Sequence, residues 1–187
     1  MFSHFFESEG YVLSVRQVEL AKEISTLHRW VNLPYSSRFW SMQGELSQLC
    51  RFYTDKVNSG DLQLFFVCYK SRPLAFFEVY PVMRTELKDF IDASKYDYGI
   101  HLLLAPYKDI GLVIKKPLRR LSMNILETII QMLFSNEAVN RIFAEPDADN
   151  INANRLALKA GFRFIKMIQF PDKKANLYII NKPTNLP

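Results

Sequence analysis

The sequence predicts a mixed α/β fold in which helices pack around one β-sheet. Three observations carry this prediction: amphipathic segments lie near the start of the chain, apolar strand candidates fill its middle, and single helix and strand candidates alternate before a final hairpin. This alternation is not strict enough for a doubly wound parallel sheet. Neither a glycine-rich dinucleotide fingerprint nor a Walker loop is present, which argues against nicotinamide and P-loop chemistry.

The helix candidates place apolar residues three or four positions apart along one face. They are residues 19–30, 45–57, 121–134 and 151–160. The third is the most regular, because an apolar residue recurs at every fourth position from Leu121 to Leu133. Pro34 is expected to close off the first candidate, and Gly161 stands where the C-terminal cap of the last one belongs.

The strand candidates are short apolar or alternating runs. They are residues 11–18, 62–69, 74–80, 99–105, 141–144, 162–170 and 176–180. A turn sequence separates the second from the third, and this predicts a hairpin. Residues 99–105 are apolar almost throughout, as expected of a central strand that is buried on both faces.

Length and charge limit the classes of protein. At 187 residues the chain is long enough for one well-packed domain and short for two. Its net charge is +5, and residues 108–122 hold five basic side chains against the single acid Asp109, a net charge of +4. So local a cluster favours a phosphate-bearing small molecule over nucleic acid, which needs a longer basic stripe. A solvated surface loop is the alternative interpretation.

The cysteines and the apolar runs indicate a compartment. Cys50 and Cys68 are the only cysteines, and neither has metal-ligand spacing around it. Two thiols without a disulfide framework fit a reducing environment. The first residues lack the pattern of a secretory signal, and no apolar run reaches the roughly 18 residues that a membrane span needs. We therefore expect a soluble, cytoplasmic protein with no membrane or nucleic-acid partner.

Three sequence motifs carry chemistry. They are residues 28–40 (HRWVNLP followed by RFW), 77–80 with 97–101 (FEVY and DYGIH), and 145–153 with 161–162 (EPDADNINA and GF). Together with the element order, they make the chain resemble the GNAT superfamily of acyl-coenzyme A-dependent N-acyltransferases over roughly residues 20–170. More narrowly, the chain is similar to the branch that acetylates N-hydroxylated amines during hydroxamate siderophore assembly, such as N6-hydroxylysine acetyltransferases.

This resemblance implies the fold in more detail. We expect a single GNAT acetyltransferase domain over residues 1–187, with a central, mostly antiparallel sheet. In this fold the sheet is splayed at its middle strands and helices cover both faces.

The resemblance also implies two catalytic residues, His101 and Asp147. His101 lies in an otherwise apolar strand, where a buried structural histidine would be the usual explanation, but this branch keeps its candidate base at that position. A histidine suits the task because its ordinary pKa lies near neutrality. Asp147, in the strand-to-helix turn of the third motif, is expected to orient the substrate or to assist the proton transfer.

Acetyl-coenzyme A is the implied co-substrate, and no metal is needed. Its expected contacts are the end of the fourth predicted strand, the start of the third predicted helix and two asparagines: Leu103, Leu104, Ala105, Arg119, Arg120, Leu121, Ser122, Asn150 and Asn154. Backbone N–H groups at 103–105 would stabilise the oxyanion on the thioester carbonyl. Asp149 or Asn150 could instead cap the following helix, and that alternative stays open.

The expected pyrophosphate-binding loop departs from the family pattern. GNAT enzymes usually carry Arg/Gln-x-x-Gly-x-Gly/Ala before this helix, whereas residues 119–123 contain no glycine. Either the side chains of Arg119, Arg120 and Ser122 replace part of the backbone cradle, or the domain binds a different ligand. We favour the first interpretation, because the helix and both candidate catalytic positions are present.

The substrate-binding candidates are polar or aromatic residues of the first two motifs: His28, Trp30, Asn32, Trp40, Glu78 and Tyr80. Glu78 and Tyr80 alternate along one strand, so they would project from the same sheet face and hold the amine or hydroxyl end. A solvated sheet face is the alternative for this pair. The two tryptophans would line an aliphatic substrate, although Trp30 has simple packing as its alternative.

We therefore expect transfer of an acetyl group from acetyl-coenzyme A to the nitrogen of an aliphatic N-hydroxyamine, N6-hydroxylysine or similar, giving a hydroxamate. Attack would be direct, because neither cysteine lies in a nucleophile motif. A monomer or a homodimer is expected. Two alternatives stay open: an aminoglycoside 6′-N-acetyltransferase, against which the basic composition weighs, and a non-catalytic acyl-coenzyme A- or peptide-binding module.

Overall fold

The computed structural model describes residues 4–8, 11–114 and 119–183, with side chains from Tyr11 onward except that of Val113. The strands within these residues are β1 (His4–Ser8), β2 (Tyr11–Gln17), β3 (Gln63–Tyr69), β4 (Arg72–Pro81), β5 (Asp97–Leu104), β6 (Arg141–Ala144), β7 (Arg163–Gln169) and β8 (Lys174–Asn181). The helices are α1 (Leu20–Val31), α2 (Pro34–Trp40), α3 (Leu46–Asn58), α4 (Tyr107–Val113), α5 (Leu121–Phe134) and α6 (Ile151–Lys159), and short 3₁₀ helices lie at Val82–Arg84 and Glu86–Phe90.

The strands form one sheet in the order β1-β2-β3-β4-β5-β6-β8-β7. β5 and β6 are parallel, and their pairing runs only from Asp97 opposite Arg141 to Gly99 opposite Phe143, whereas β5 continues to Leu104. The pairs β1–β2, β2–β3, β6–β8 and β7–β8 are antiparallel. The predicted mixed α/β class with a mostly antiparallel sheet is therefore confirmed.

Most of the predicted elements are present, but β1, α2 and α4 were missed. α5 begins at Leu121, as predicted, and Ile125 and Ile129 on its repeating face are fully buried. Gly161 follows the end of α6 with a φ of +91°, as expected of a residue that caps a helix C-terminus. Pro34 lies beyond the end of α1 and also begins α2, because the first turn of a helix does not need the N–H that proline lacks.

The chain divides into two compact units, one of Met1–Glu78 with Leu102–Leu121 and the other of Val79–His101 with Ser122–Pro187. The single domain expected over residues 1–187 stays a prediction. None of the helices in the part of the chain that the structure describes has the length and apolar character to cross a membrane.

The core of the first unit is aromatic. Trp30, Tyr53, Phe66 and Phe76 are fully buried. Their rings meet edge to face, with centroids 5.9 Å apart for Trp30–Phe66 and 5.8 Å apart for Tyr53–Phe76. Each such contact adds about 0.5–1.5 kcal/mol to the hydrophobic contribution of the buried area. These rings therefore fix the helices α1 and α3 against β3 and β4 within this unit.

A hydrophobic core of the second unit lies at the end of the sheet. Phe143 of β6 packs with Val82, Ile168, Leu177 and Ile179, all of them buried. Aliphatic residues on one face of each strand thus meet one another, as the alternation along β8 requires. This packing holds the C-terminal end of β6, from which the candidate site is built.

Candidate active site

The register of β5 and β6 brings two functional side chains together in the second unit. Asp97 lies opposite Arg141 in this parallel pair, so the positions four residues further along, His101 and Glu145, lie level and face the same way. An ion pair fixes the register at its start, where Arg141 Nε donates a hydrogen bond to the buried Asp97 carboxylate at 2.7 Å. The adjacency of His101 and Glu145 is therefore a consequence of strand pairing.

The Glu145 carboxylate bridges His101 and Tyr80. His101 Nε2 lies 2.6 Å from Glu145 Oε1, and Tyr80 Oη donates to Glu145 Oε2 at 2.6 Å. The Tyr80 and His101 rings are 4.9 Å apart and tilted by 45°. The His101 side chain is 38% exposed, whereas that of Glu145 is 7% exposed. The arrangement is an accessible imidazole supported by a buried carboxylate.

Gly99 provides the space that Tyr80 occupies. A Cβ at position 99 would lie 2.1 Å from two Tyr80 ring carbons and 2.3 Å from Tyr80 Oη, far inside van der Waals contact. Any other residue here would displace Tyr80 from Glu145. The sequence GIH therefore serves one site, because Gly99 admits the tyrosine and His101 contacts its partner.

Glu145 is ionised at neutral pH despite its burial. Burial by itself would raise the pKa of this carboxyl group. The charge and hydrogen bond of His101, the charge of Lys173 and the Tyr80 hydroxyl together outweigh burial and lower the pKa of Glu145 to about 2. Lys173 Nζ also donates to the Glu145 carbonyl oxygen at 3.1 Å. His101 therefore faces a fixed negative charge.

Asp147 organises the backbone of the turn between β6 and α6. Its Oδ1 accepts a hydrogen bond from the Asp149 N–H at 2.8 Å, and it forms an isolated β-bridge with Ala175. The carboxylate placed against His101 is that of Glu145, to which the sequence analysis gave no role. The signal that could have identified Glu145 is its position directly after β6, the strand that pairs with β5, four residues beyond Arg141. The catalytic role of Asp147 stays a prediction.

The two asparagines expected at coenzyme A have structural partners. Asn150 Oδ1 accepts from the Ala153 N–H at 3.1 Å, so Asn150 caps α6, as the alternative interpretation proposed. Asn154 Nδ2 donates to the Asp147 and Asn150 carbonyl oxygens, and its Oδ1 accepts from the Asn176 amide and the Tyr178 hydroxyl. These four bonds use the whole hydrogen-bonding capacity of the Asn154 amide. Contact between either asparagine and coenzyme A stays a prediction.

The predicted phosphate contacts lie at the start of α5. Arg119 and Arg120 are exposed immediately before the helix, and Leu121 and Ser122 form its first turn. Arg120 has a φ of +54°, in the left-handed region that favours glycine. The loop thus adopts, with an arginine, a backbone conformation for which glycine is the usual residue. Residues 115–118, which hold two lysines of the predicted basic cluster, lie outside the described residues.

The predicted oxyanion donors lie at the end of β5 in the first unit. Leu103 and Leu104 are the last residues of the strand, and the Ala105 N–H donates to the Leu74 carbonyl oxygen at 2.8 Å. Tyr35 Oη donates to the Leu104 carbonyl oxygen at 2.7 Å, and burial raises the pKa of Tyr35 to about 12, so that it remains a donor. The contact of residues 103–105 with the thioester stays a prediction.

His28 and Asn32 fix the loop around Gly44 in the first unit. His28 Nε2 lies 2.7 Å from the Gly44 carbonyl oxygen. The Gly44 N–H donates to Asn32 Oδ1 at 3.0 Å, and Asn32 Nδ2 donates to the His28 carbonyl oxygen at 2.8 Å. Their predicted contact with substrate stays a prediction, and their described partners are the Gly44 backbone and, for Asn32, the His28 carbonyl oxygen of α1.

Trp30 is a packing residue that also connects α1 to α4. Its ring is 1% exposed, and its Nε1–H donates to Asp109 Oδ2 at 2.9 Å. Arg29 donates to the other oxygen of Asp109 at 3.1 Å. The Arg29 guanidinium lowers the pKa of Asp109, against the opposing effect of burial, and Trp30 lowers it further. Trp30 thus packs in the core, as its packing alternative proposed, and its predicted contact with substrate stays a prediction.

Glu78 is part of a buried pair in the first unit. Tyr53 Oη donates to Glu78 Oε1 at 2.7 Å, and burial, followed by the Glu78 charge, raises the pKa of Tyr53 well above its ordinary value. The Trp40 ring packs at 5.8 Å from that of Phe76. Glu78 and Tyr80 are 6% and 3% exposed, so the alternative of a solvated sheet face is wrong for both. Their role in holding substrate stays a prediction.

Comparison with known proteins identifies the family. The family model described as an acetyltransferase (GNAT) domain matches residues 19–170. The chain belongs to the GNAT acetyltransferase family. The predicted family and, at the level of the family, the predicted enzyme class of acyl-coenzyme A-dependent acetyltransferase are thereby confirmed.

Relatives of this GNAT chain include proteins named for N-hydroxylated amines. It is 24% identical over 172 residues to an N(6)-hydroxylysine O-acetyltransferase of Escherichia coli, a match that covers 91% of the chain and 52% of that protein. It is 24% identical over 177 residues to an N-hydroxyputrescine acetyltransferase of Acinetobacter baumannii, covering 94% of the chain and 81% of that protein. The chain thus spans about half the length of the first relative.

A solved structure of similar fold belongs to an aminoglycoside acetyltransferase. The structure of AAC(6′)-Ib in complex with coenzyme A matches this GNAT chain with a TM-score of 0.78 at 18% identity, covering 91% of the chain and 95% of that protein. This similarity confirms the fold. Among the residues that the structure describes, no group of three or more His, Cys, Asp and Glu side chains could hold a metal ion.

Proposed function

We propose that this GNAT domain transfers an acetyl group from acetyl-coenzyme A to an aliphatic N-hydroxyamine, and that the acceptor atom is nitrogen. The observation that carries the reaction type is the accessible His101 imidazole held 2.6 Å from the buried Glu145 carboxylate. Relatives named for N-hydroxylysine and N-hydroxyputrescine support the substrate class. The product is then a hydroxamate in which acetyl and hydroxyl groups share one nitrogen.

His101 is the proposed general base. The hydroxyamine nitrogen attacks the thioester carbonyl carbon, the N–C bond forms, and the nitrogen's proton passes to His101 directly or through one water. The C–S bond then breaks, and coenzyme A leaves as a thiolate that takes up the proton to become the thiol. Backbone N–H groups of the segment 103–105 are the proposed donors to the oxyanion, and Asp147 is the proposed residue that orients the substrate.

Acetyl-coenzyme A fits the chemistry of the residues at the start of α5. Arg119 and Arg120 are exposed cations at the N-terminal end of a 14-residue helix, where the unpaired N–H groups and the helix dipole also favour anions. Phosphate oxygens suit this combination. The side chains of these arginines are proposed to replace part of the glycine-rich cradle that the loop lacks.

The acceptor atom can be determined by product chemistry. Purified protein is incubated with acetyl-coenzyme A and N6-hydroxylysine or N-hydroxyputrescine, with lysine and putrescine as matched controls, and thiol release is followed. The N-acetyl product is a hydroxamate and forms a coloured complex with Fe(III), whereas an O-acetyl product does not. Thiol release without the coloured complex would establish O-acetylation and contradict our choice of nitrogen.

The same assay tests the alternatives. Release with an aminoglycoside but with neither hydroxyamine would replace the proposed substrate class. Coenzyme A binding without release on any amine would indicate a binding module. His101→Ala is expected to lower kcat by about 100-fold or more, because removal of a general base costs roughly 10²–10⁴-fold. Unchanged turnover in this variant would reject His101 as the base.

A further inference from the structure

We infer that Glu145 is the positioning residue for His101: it holds the imidazole proton on Nε2 and leaves Nδ1 as the nitrogen that accepts a proton. The role of Nδ1 in catalysis rests on the proposed function, whereas the position of the proton does not. The sequence motif gives no partner for His101, whereas the contacts of His101 with Glu145 and Tyr80 in the second unit do.

The hydrogen bond between His101 and Glu145 has a fixed direction. Glu145 Oε1 lies 2.6 Å from His101 Nε2, and an ionised carboxylate has acceptors only. Nε2 is therefore the donor, and in the neutral ring the proton is absent from Nδ1. Without the structure, either nitrogen could have carried the proton, because a lone histidine in a strand gives no indication of its tautomer.

The surroundings of Glu145 favour its ionised form. Among the described contacts, the groups that face the His101–Glu145 pair include Tyr80 from β4 and Lys173 from the turn before β8. Tyr80 donates to the second carboxylate oxygen, and Lys173 Nζ lies 4.0 Å from the first. Both favour the ionised carboxylate, which agrees with the lowered pKa of Glu145. The negative charge beside Nε2 in turn favours the protonated ring, so it makes His101 a stronger base.

The orientation of the His101 imidazole is fixed by its two neighbours, Glu145 and Tyr80. The Tyr80 ring lies 4.9 Å from the imidazole, and this close packing is possible only because position 99 is glycine. Glu145 and Tyr80 thus hold the imidazole through one hydrogen bond and one ring contact. Rotation of the ring by half a turn would place a carbon where Nε2 meets Glu145, and the hydrogen bond would be lost.

Glu145 and Asp147 have different hydrogen-bond partners. Asp147 Oδ1 accepts from the Asp149 N–H, so this carboxylate serves its own turn, whereas both Glu145 oxygens serve the site. The two acids of the third motif therefore have different roles. Glu145 acts on the base, and Asp147 remains the candidate for the substrate.

The test compares Glu145→Gln with Asp147→Asn. Gln keeps the size of the side chain and one oxygen acceptor for Nε2–H, but it removes the charge. The nitrogen chemical shifts of the histidine rings are recorded by NMR against pH in the free full-length chain. The protein has three histidines, and His101→Gln identifies the relevant signal.

The wild type is expected to show Nε2–H as the neutral tautomer. In Glu145→Gln, the His101 titration midpoint and the acidic limb of the kcat profile should both move to lower pH by about one unit or more, because an opposite charge at this distance shifts a pKa by roughly 1–3 units. We also expect kcat to fall by about 10–100-fold, a part of the roughly 10²–10⁴-fold that a general base contributes, because the base remains but loses its charged partner. Asp147→Asn should leave the tautomer and the titration unchanged.

A wild-type ring protonated on Nδ1 would overturn the inference, as would a Glu145→Gln titration that equals that of the wild type. If Glu145→Gln does not fold, the wild-type tautomer still decides the inference, and Tyr80→Phe is the second variant. Removal of the Tyr80 donor leaves more of the Glu145 negative charge for His101, so the titration midpoint should rise while the Nε2–H tautomer stays in place. A lower midpoint in Tyr80→Phe would contradict the inference. The NMR measurement needs no substrate. Absence of thiol release with any hydroxyamine would therefore reject the proposed function and leave this result standing.

Discussion

Gly99 is a position at which the addition of a single carbon atom would disturb the candidate site. Because a Cβ there would lie 2.1 Å from the Tyr80 ring, Gly99→Ala must displace Tyr80 from the Glu145 carboxylate. Overpacking of a core position costs roughly 1–3 kcal/mol, and we expect the free energy of unfolding to fall by about this amount. Urea denaturation measures the loss of stability, and kcat should also fall, because Tyr80 no longer supports Glu145.

The matched control for this substitution is Gly111→Ala. Gly111 lies in α4, and a Cβ there meets no atom within 4 Å. Alanine favours helix over glycine by roughly 0.5–1 kcal/mol, so this variant should be as stable as the wild type or slightly more stable. Equal stability of the two alanine variants would contradict the close approach of Gly99 and Tyr80.

Glu145 also makes stability depend on pH. The pKa of Glu145 is lowered from 4.5 to about 2, so its contribution to the free energy of unfolding is fully present above pH 4.5 and is lost as the pH falls toward 2. The bonds that Glu145 accepts from His101 and Tyr80 are hydrogen bonds to a charged group, and such bonds contribute roughly 1.5–3 kcal/mol each. Glu145→Gln should therefore be clearly less stable than the wild type at neutral pH.

The difference between the two proteins should shrink below pH 4, where the wild type begins to lose this contribution and the variant has no carboxyl group to titrate at position 145. Urea denaturation at several pH values measures both curves. A difference that stays constant from neutral pH to pH 3 would contradict the low pKa of Glu145.

The turn between β6 and α6 is an element whose shape depends on one amide. Asn154 is 8% exposed and makes four hydrogen bonds, two of them to the backbone carbonyl oxygens of Asp147 and Asn150. Asn154→Ala would leave the buried Tyr178 hydroxyl without this acceptor, and each unsatisfied buried group costs roughly 1–3 kcal/mol. We expect a loss of stability of about 2 kcal/mol or more, measured by thermal and urea unfolding.

Two controls define the role of Asn154. Asn150→Ala removes only the cap of α6 and should cost about 1 kcal/mol. Arg155→Ala alters an exposed neighbour on the same helix and should be nearly neutral. If Asn154→Ala were as stable as the wild type but bound coenzyme A weakly, its role would be direct contact rather than support of the turn.

The elements show which parts of the fold were predictable. α5 and β8 were predicted because periodic apolar residues determine both their type and their buried face. α2 and α4 have seven residues each, too few for a periodic pattern to emerge, and Pro34 was interpreted only as a stop. The site shows the same difference. His101 was predicted from its motif, whereas the contact of Glu145 with His101 depends on the parallel register of β5 and β6, which no local sequence pattern contains.

At the scale of the whole molecule, the net charge of +5 attracts any anionic ligand. We propose that two particular cations, Arg119 and Arg120 before α5, bind the phosphates of coenzyme A. If these cations bind phosphates, coenzyme A should raise the melting temperature more than pantetheine, which has the same thiol arm without the nucleotide. A ligand at 100 times its Kd stabilises the native state by about 2.7 kcal/mol. The additional rise in melting temperature due to the nucleotide should fall steeply from low to high salt. Salt screens the attraction between the arginines and the phosphates, because the Debye length shortens from about 10 Å at 0.1 M to about 3 Å at 1 M.

Arg119→Ala and Arg120→Gly separate charge from backbone shape in this test. Both should reduce the salt-dependent increment given by coenzyme A, because each removes one cation. Only Arg120→Gly should also raise the stability of the ligand-free protein, by about 1 kcal/mol, since glycine takes the φ of +54° without the penalty that other residues incur. If both variants keep the full rise in melting temperature that coenzyme A gives beyond pantetheine at low salt, the arginines do not contact the phosphates. Other residues must then bind them. If Arg120→Gly alone increases the affinity for coenzyme A, the loop binds phosphate through its backbone N–H groups, as in the glycine-containing pattern of the family. The charge of Arg120 is then not needed for binding.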